Sequence, residues 1–224
     1  DTRTGSHTMA AATTAAAPTA KINIIHYSMY GHIEAMARSF KEGVDSVDGA
    51  EGVLLRVPET LSDDVLAAMH APPKAEDIPE ADRATFVDCD GIAFGIPTRF
   101  GMMAAQMKAF FDSTGGHWQK GALVGKPSAV FVSTGSQGGG QETTALTAVT
   151  QLAHHGMIFV PYGYQSPEVQ FDSSSVHGGS AYGAGCIAGA DGSRKPSEAE
   201  LSVAKAQGAY FAKTALALKK GRSA

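Results

Sequence analysis

Residues 21–40 read KINIIHYSMYGHIEAMARSF, and two periodicities meet inside them. Ile22, Ile24 and Ile25, ending at Tyr27, make a near-continuous apolar run, as a parallel strand covered on both faces requires. From Ile33 the spacing changes, and Ile33, Met36, Ala37, Phe40, Val44 and Val47 recur at helical intervals. Between them lies Ser28-Met29-Tyr30-Gly31-His32-Ile33, a loop that runs straight into the helix. A hydroxyl, a permissive glycine and free backbone N–H groups at a helix N-terminus favour an anion, more simply a single phosphate monoester than a pyrophosphate. Ser28 is then either the helix cap or a ligand of that anion, and the residues alone leave both open.

Outward from this unit the alternation repeats. Val53-Leu54-Leu55, closed by Pro58, reads as a second strand, Gly91 to Ile96 as a third, Ala129 to Val132 as a fourth and Met157 to Val160 as a fifth. Helical spacing recurs at Met103, Met107, Phe110 and Phe111, and again at Leu146, Val149 and Ala153. A last helix starts at Ser197, which forms a capping box with Glu200 behind Pro196. Residues 59–88 are mixed, with a short helical piece near Asp63 to Met69, and residues 162–195 are long and irregular. Strands alternating with helices predict a single α/β domain with a doubly wound parallel sheet over residues 21–220.

Composition narrows the classes further. Of 224 residues 26 are glycine, about 12% against an average near 7%. The chain is nevertheless 43% hydrophobic and has no G-X-Y period, which excludes both a disordered and a collagen-like chain. A net charge of −4 without a basic block gives no electrostatic footprint for nucleic acid. Cys89 and Cys186 lie far apart and form no C-x-x-C, which fits a reducing, cytoplasmic setting rather than a disulfide scaffold or zinc site. The apolar runs are too short for a membrane span. Asp1 to Met9 reads as a cloning scar, and the Ala/Thr-rich stretch up to Ala20 as a flexible tail outside the fold.

Doubly wound sheets bind ligands beyond the carboxyl ends of their strands. Three loops there carry chemistry. The first is Ser28 to Ile33. The second, Pro97-Thr98-Arg99-Phe100-Gly101-Met102, sets a cation and an aromatic ring at the end of strand three, which suits a planar ring with polar edges. The third, Ser133-Thr134-Gly135-Ser136-Gln137-Gly138-Gly139-Gly140-Gln141, offers hydroxyls and unhindered backbone that a flat ligand approaches closely. No G-x-G-x-x-G follows the first strand, Gly125-Lys126 is followed by proline, and Gly135-Ser136-Gln137-Gly138 is no nucleophile elbow. The sequence shows no histidine pair at metal spacing. A flavin mononucleotide (FMN) has the parts that match these loops: one phosphate, a ribityl chain and a planar tricyclic ring.

The runs SMYGHIEAMA, GIPTRFGMM, STGSQGGGQE, LAHHGMIFVP, GGSAYGAG and AGADGSRKPSEAEL resemble the WrbA family of flavodoxin-like NAD(P)H:quinone oxidoreductases, from about Lys21 to Leu218. The resemblance implies a five-stranded sheet in the order 2-1-3-4-5 with helices on both faces, an FMN cofactor, NADH or NADPH as electron donor, a quinone substrate and a homotetramer. It also implies roles. Ser28 to Ile33 would hold the phosphate, Thr98, Arg99 and Phe100 would flank the ring, and Ser133 to Gly138 would meet its pyrimidine edge and the ribityl chain. His154 would lie near the flavin, Trp118 would line the quinone site, and Tyr30 would stand near the nicotinamide nucleotide. Met102 departs from the asparagine that bacterial members carry after RFG. Two other readings share the fold: an electron-carrying flavodoxin, in which Trp118 has no task, and a non-catalytic interaction protein.

Overall fold

The computed structural model describes residues 19–223, so the scar and nearly all of the tail assigned to residues 1–20 lie outside the described residues. In chain order the elements are β1 (Ala20–His26), α1 (His32–Asp45), β2 (Ala50–Arg56), α2 (Asp63–Ala68), α3 (Arg83–Val87), β3 (Gly91–Arg99), β4 (Met102–Met103) and α4 (Ala105–Asp112). There follow α5 (Gly115–Gln119), β5 (Pro127–Thr134), α6 (Gln141–His154), β6 (Ile158–Phe159), α7 (Pro167–Gln170), β7 (Gly185–Ile187) and α8 (Glu198–Ser223).

The sheet runs β2-β1-β3-β5-β6, all parallel, which is the expected order of the five expected strands. The fifth lane departs from expectation. β6 pairs only with Pro127 and Ser128 at the start of β5, while β7 pairs with Val132, Ser133 and Thr134 at its end. One lane is thus filled by two short strands, with the chain between them looping away and returning. The irregular character expected for residues 162–195 is that excursion.

Successive side chains of a strand face opposite sides, so the sheet builds two cores. Ile92, Phe94 and Ile96 pack on one face with Phe86, Phe110 and Phe111, while Ala93 and Phe131 pack on the other with Phe40 and Phe211. On that second face α8 crosses α1 backbone to backbone. A Cβ on Gly43 would overlap the Lys205 carbonyl, and one on Gly208 would overlap the Phe40 carbonyl. The Ser197–Glu200 capping box forms as expected, with Ser197 N–H donating to Glu200 Oε2 at 2.7 Å and Glu200 N–H donating to Ser197 Oγ at 3.2 Å. Among the described residues, no helix is long and apolar enough to cross a membrane.

Candidate active site

The three loops converge at the carboxyl end of the sheet. Ser28, Met29, Tyr30, His32, Ile33, Pro97, Thr98, Arg99, Ser133, Thr134 and Gly135 line one cleft of about 110 Å³, joined there by Ala188 and Gly192. A larger cavity of about 470 Å³ lies across the glycine loop, bordered by Gln137, Gly138, Glu142, Tyr164 and His177. Size does not choose between them. The strand order reverses between β1 and β3, and only the smaller cleft sits there.

The first loop decides what the floor of the cleft accepts. Gly31, at φ +86°, is the N-cap of α1 and makes no side-chain cap bond, so Ser28 is not the helix cap. A Cβ on Gly31 would meet no atom within 4 Å, which leaves an open cradle at a helix N-terminus where a phosphate fits. His32 is buried and its Nε2 lies 2.9 Å from the Arg194 carbonyl, so Nε2 carries the proton and donates. That bond ties the returning C-terminal loop to the cradle.

The second loop is a two-residue hairpin. Thr98 and Arg99 pair with Met103 and Met102, and the two residues between, Phe100 (φ +54°) and Gly101 (φ +82°), both take left-handed backbone. Such turns favour Asn, Asp or Gly. A fully exposed phenylalanine in this conformation is held there at a cost and without packing, which marks it for contact with something else. Thr98 Oγ1 accepts from Thr144 Oγ1 at 2.8 Å and from the Gly101 N–H at 3.2 Å, fixing the hairpin to α6.

In the third loop Ser133 and Thr134 are buried, whereas Gly135, Ser136, Gln137 and Gly138 are exposed. Gly139 N–H closes a turn onto the Ser136 carbonyl at 3.1 Å.

A brace beneath the first loop escaped the sequence reading. Glu59 accepts from Tyr27 Oη at 3.0 Å and from Gln106 Nε2 at 2.9 Å, and pairs with Lys74 at 3.2 Å. Lys74 also donates to the Ser28 carbonyl at 3.1 Å. Burial pushes the Glu59 carboxyl upward, but the donors at Thr60 N–H, Tyr27, Gln106 and Lys74 outweigh it and hold it below the usual carboxylate range. Burial, then the Glu59 carboxylate, pushes the Tyr27 phenol up. The signal lay in Val57-Pro58-Glu59-Thr60, directly after the second strand. It concerned the carboxyl-end loop of the edge strand β2, which carries neither glycine nor an aromatic.

Two expected site residues stand elsewhere in the single chain. His154 ends α6, which starts beside the glycine loop and runs its length away from the cleft, about 21 Å. The chain beyond it pairs with Pro127, the first residue of β5. Trp118 lies at the same far end, where its neighbour His117 stands 6.5 Å from the Phe86 ring. Both Trp118 and His154 are exposed. His155, not His154, is the buried member of the pair. Its Nε2 is 3.0 Å from Thr114 Oγ1, whose own proton goes to the Phe111 carbonyl. Nε2 is therefore the donor, and burial lowers the tendency of this ring to protonate. Tyr30, half exposed, donates through its hydroxyl to the Met69 carbonyl at 3.1 Å and borders the cleft.

A doubly wound parallel sheet with an open helix N-terminus and an exposed aromatic hairpin at its switch point is the frame of a flavodoxin-like flavoprotein. The model of the NADPH-dependent FMN reductase family matches residues 6–169, and the chain belongs to that family, in its WrbA-type branch. Its relatives include the quinone-oxidoreductase QR2 of Triphysaria versicolor, 59% identical over 86% of this chain and 93% of that protein. The probable NAD(P)H dehydrogenase (quinone) FQR1-like 2 of Arabidopsis thaliana is 56% identical over 94% of this chain and 78% of that one. Among solved structures, the WrbA-like flavodoxin of Agrobacterium tumefaciens superposes with a TM-score of 0.60 at 23% identity, over 88% of this chain and 98% of that chain. At that identity the likeness speaks for the fold.

Proposed function

We propose that this chain is an FMN-dependent NAD(P)H:quinone oxidoreductase working by a ping-pong cycle. The observation that carries the reading is that Ser28, Tyr30 and His32, Thr98 and Arg99, and Ser133 and Thr134 line one switch-point cleft, in a chain 59% identical to a quinone oxidoreductase. When bound, FMN would supply the redox chemistry, taking up a hydride from NADH or NADPH and delivering two electrons, which with the proton of that hydride and one more from solvent convert the quinone to its hydroquinone. The chain supplies the rest. The N-terminus of α1 and Ser28 hold the phosphate, with Gly31 leaving room for it. Thr98 and Arg99 flank the ring, and backbone N–H groups of residues 133–138 stabilise negative charge at its pyrimidine edge. Phe100 and Tyr30 line the face where nicotinamide and quinone bind in turn.

We further infer a homotetramer in which a second copy brings Trp118 and His154 to this face, since within one chain they lie at the opposite end of the sheet. The exposure of Trp118, Val124 and Ile158 there supports a contact between copies. Both cysteines are free, which supports a cytoplasmic location. A two-electron step avoids releasing a one-electron-reduced quinone, which would suit a role in oxidative stress.

The test is anaerobic. Protein loaded with FMN is mixed with NADH or NADPH and then with benzoquinone. Rapid bleaching by the nucleotide and single-step reoxidation by the quinone are expected. Bleaching that requires a separate reductase protein would make the chain an electron carrier, and failure to take up FMN would leave a non-catalytic interaction protein.

A further inference from the structure

Gln141 is the first residue of α6 and is buried between the two cavities. Both protons of its amide and one lone pair of its oxygen are engaged. Nε2 donates to Thr134 Oγ1 at 2.8 Å and to the Cys186 carbonyl at 3.0 Å. Oε1 accepts from the Gly179 N–H at 2.7 Å. Reversing the amide would face its oxygen toward the Cys186 carbonyl and its nitrogen toward the Gly179 N–H, so the orientation is fixed by its partners. Gly185 permits this, because a Cβ there would overlap Gln141 Oε1.

The consequence falls on Thr134, which lines the cleft. Its hydroxyl accepts from Gln141 and gives its own proton to the Ser136 carbonyl at 2.7 Å. A hydroxyl has one proton and two lone pairs, so a single lone pair remains. Toward the cleft Thr134 is therefore an acceptor only. It suits a donor such as a ribityl hydroxyl or the flavin N3–H, and it does not suit a phosphate oxygen.

We propose that Gln141 is a positioning residue for the cofactor: it fixes the polarity of the Thr134 hydroxyl and couples the glycine-rich segment 178–185 to the loop that meets the flavin. The inference rests on the FMN reading above. Glutamate in its place has the same shape and still accepts from Gly179. It cannot donate to Thr134, whose proton then turns toward the new carboxylate and leaves Ser136.

The test is a double-mutant cycle read as FMN affinity of the apoprotein, by titrating FMN fluorescence, with thermal melting of each variant as a check on folding. Gln141→Glu should raise the Kd about tenfold in the Thr134 background, a loss of one directed hydrogen bond. It should change little in a Thr134→Val background, where no hydroxyl remains to orient. Should the glutamate variant not fold, Gln141→Met, which keeps the length and loses the donors, enters the same cycle. The same loss of affinity in both backgrounds would overturn the inference and reduce Gln141 to a structural tie. No FMN uptake by the unsubstituted chain would overturn the functional reading instead, so the two failures are distinguishable.

Discussion

His26 ends β1 one residue before the first loop begins to turn and is buried, with Nδ1 unpartnered. Burial, helped by the charges of Arg38 and Arg56, lowers its pKa from 6.5 to about 4. The folded chain therefore keeps it neutral while the unfolded chain takes a proton as pH falls below 6.5. Stability is unaffected above that pH and is lost progressively toward pH 4, by up to about 3 kcal/mol. Urea unfolding at about pH 7 and about pH 5 should show this slope, and His26→Gln should flatten it. An unchanged slope in the variant would assign the acid sensitivity to other groups. Phe100 is the opposite case, a side chain exposed where the backbone is strained. Phe100→Gly removes the left-handed penalty of about 1 kcal/mol and should raise the melting temperature by about 2–4 °C. The same change should raise the quinone KM. A higher melting temperature with unaltered kinetics would remove Phe100 from the substrate face.

At the scale of elements, the tight crossing of α1 and α8 reverses the ordinary helix rule. Alanine normally stabilises a helix relative to glycine. At Gly43 or Gly208 the added methyl would strike the backbone of the facing helix, so Gly→Ala should destabilise by about 1–3 kcal/mol. Gly221, in the last turn of α8, meets nothing within 4 Å, and its alanine variant should be neutral or slightly stabilising by chemical denaturation. Gains of stability at all three sites would contradict the close crossing. These elements also show what a sequence discloses. β1, α1, β3 and β5 are legible because burial on both faces or on one stripe writes a long period into the chain. β4, α5 and β7 are not, because two to five residues carry no period, and Gly185-Cys186-Ile187 gains its strand geometry only from β5 beside it. The three site loops are legible because each follows a strand that is. Glu59 and Gln141 are hidden because their partners include residues far along the chain, as with Gln106 and Cys186, and no local pattern announces such a pairing.

The whole molecule is more than one chain's cleft in the functional reading. If a second copy supplies Trp118, the defect of a Trp118→Ala subunit and that of a Phe100→Ala subunit reside on different chains of one site. Mixing the two variants under conditions that exchange subunits should then restore quinone reduction, since some mixed sites carry both aromatics intact. No recovery despite verified exchange would place both residues on one chain's site or remove Trp118 from it. The glycines fit the same scale. Of the ten between Gly95 and Gly140, Gly101 lies in the hairpin and Gly135, Gly138, Gly139 and Gly140 on the glycine loop, while Gly115, Gly116, Gly121 and Gly125 stand at the far end with Trp118; the six between Gly178 and Gly192 lie on the returning segment that Gln141 fastens to the loop.

The divided fifth lane has a consequence for how the protein is made. A ribosome delivers β7 about 50 residues after β5 is complete, an interval of about 3–10 s. During that time the half of β5 nearest the cleft presents an unpaired edge, and such edges recruit other strands. Residues 185–192 therefore complete the cleft late, ahead only of α8, and a nascent chain that stalls before Gly185 has most of its sheet but an unfinished cleft.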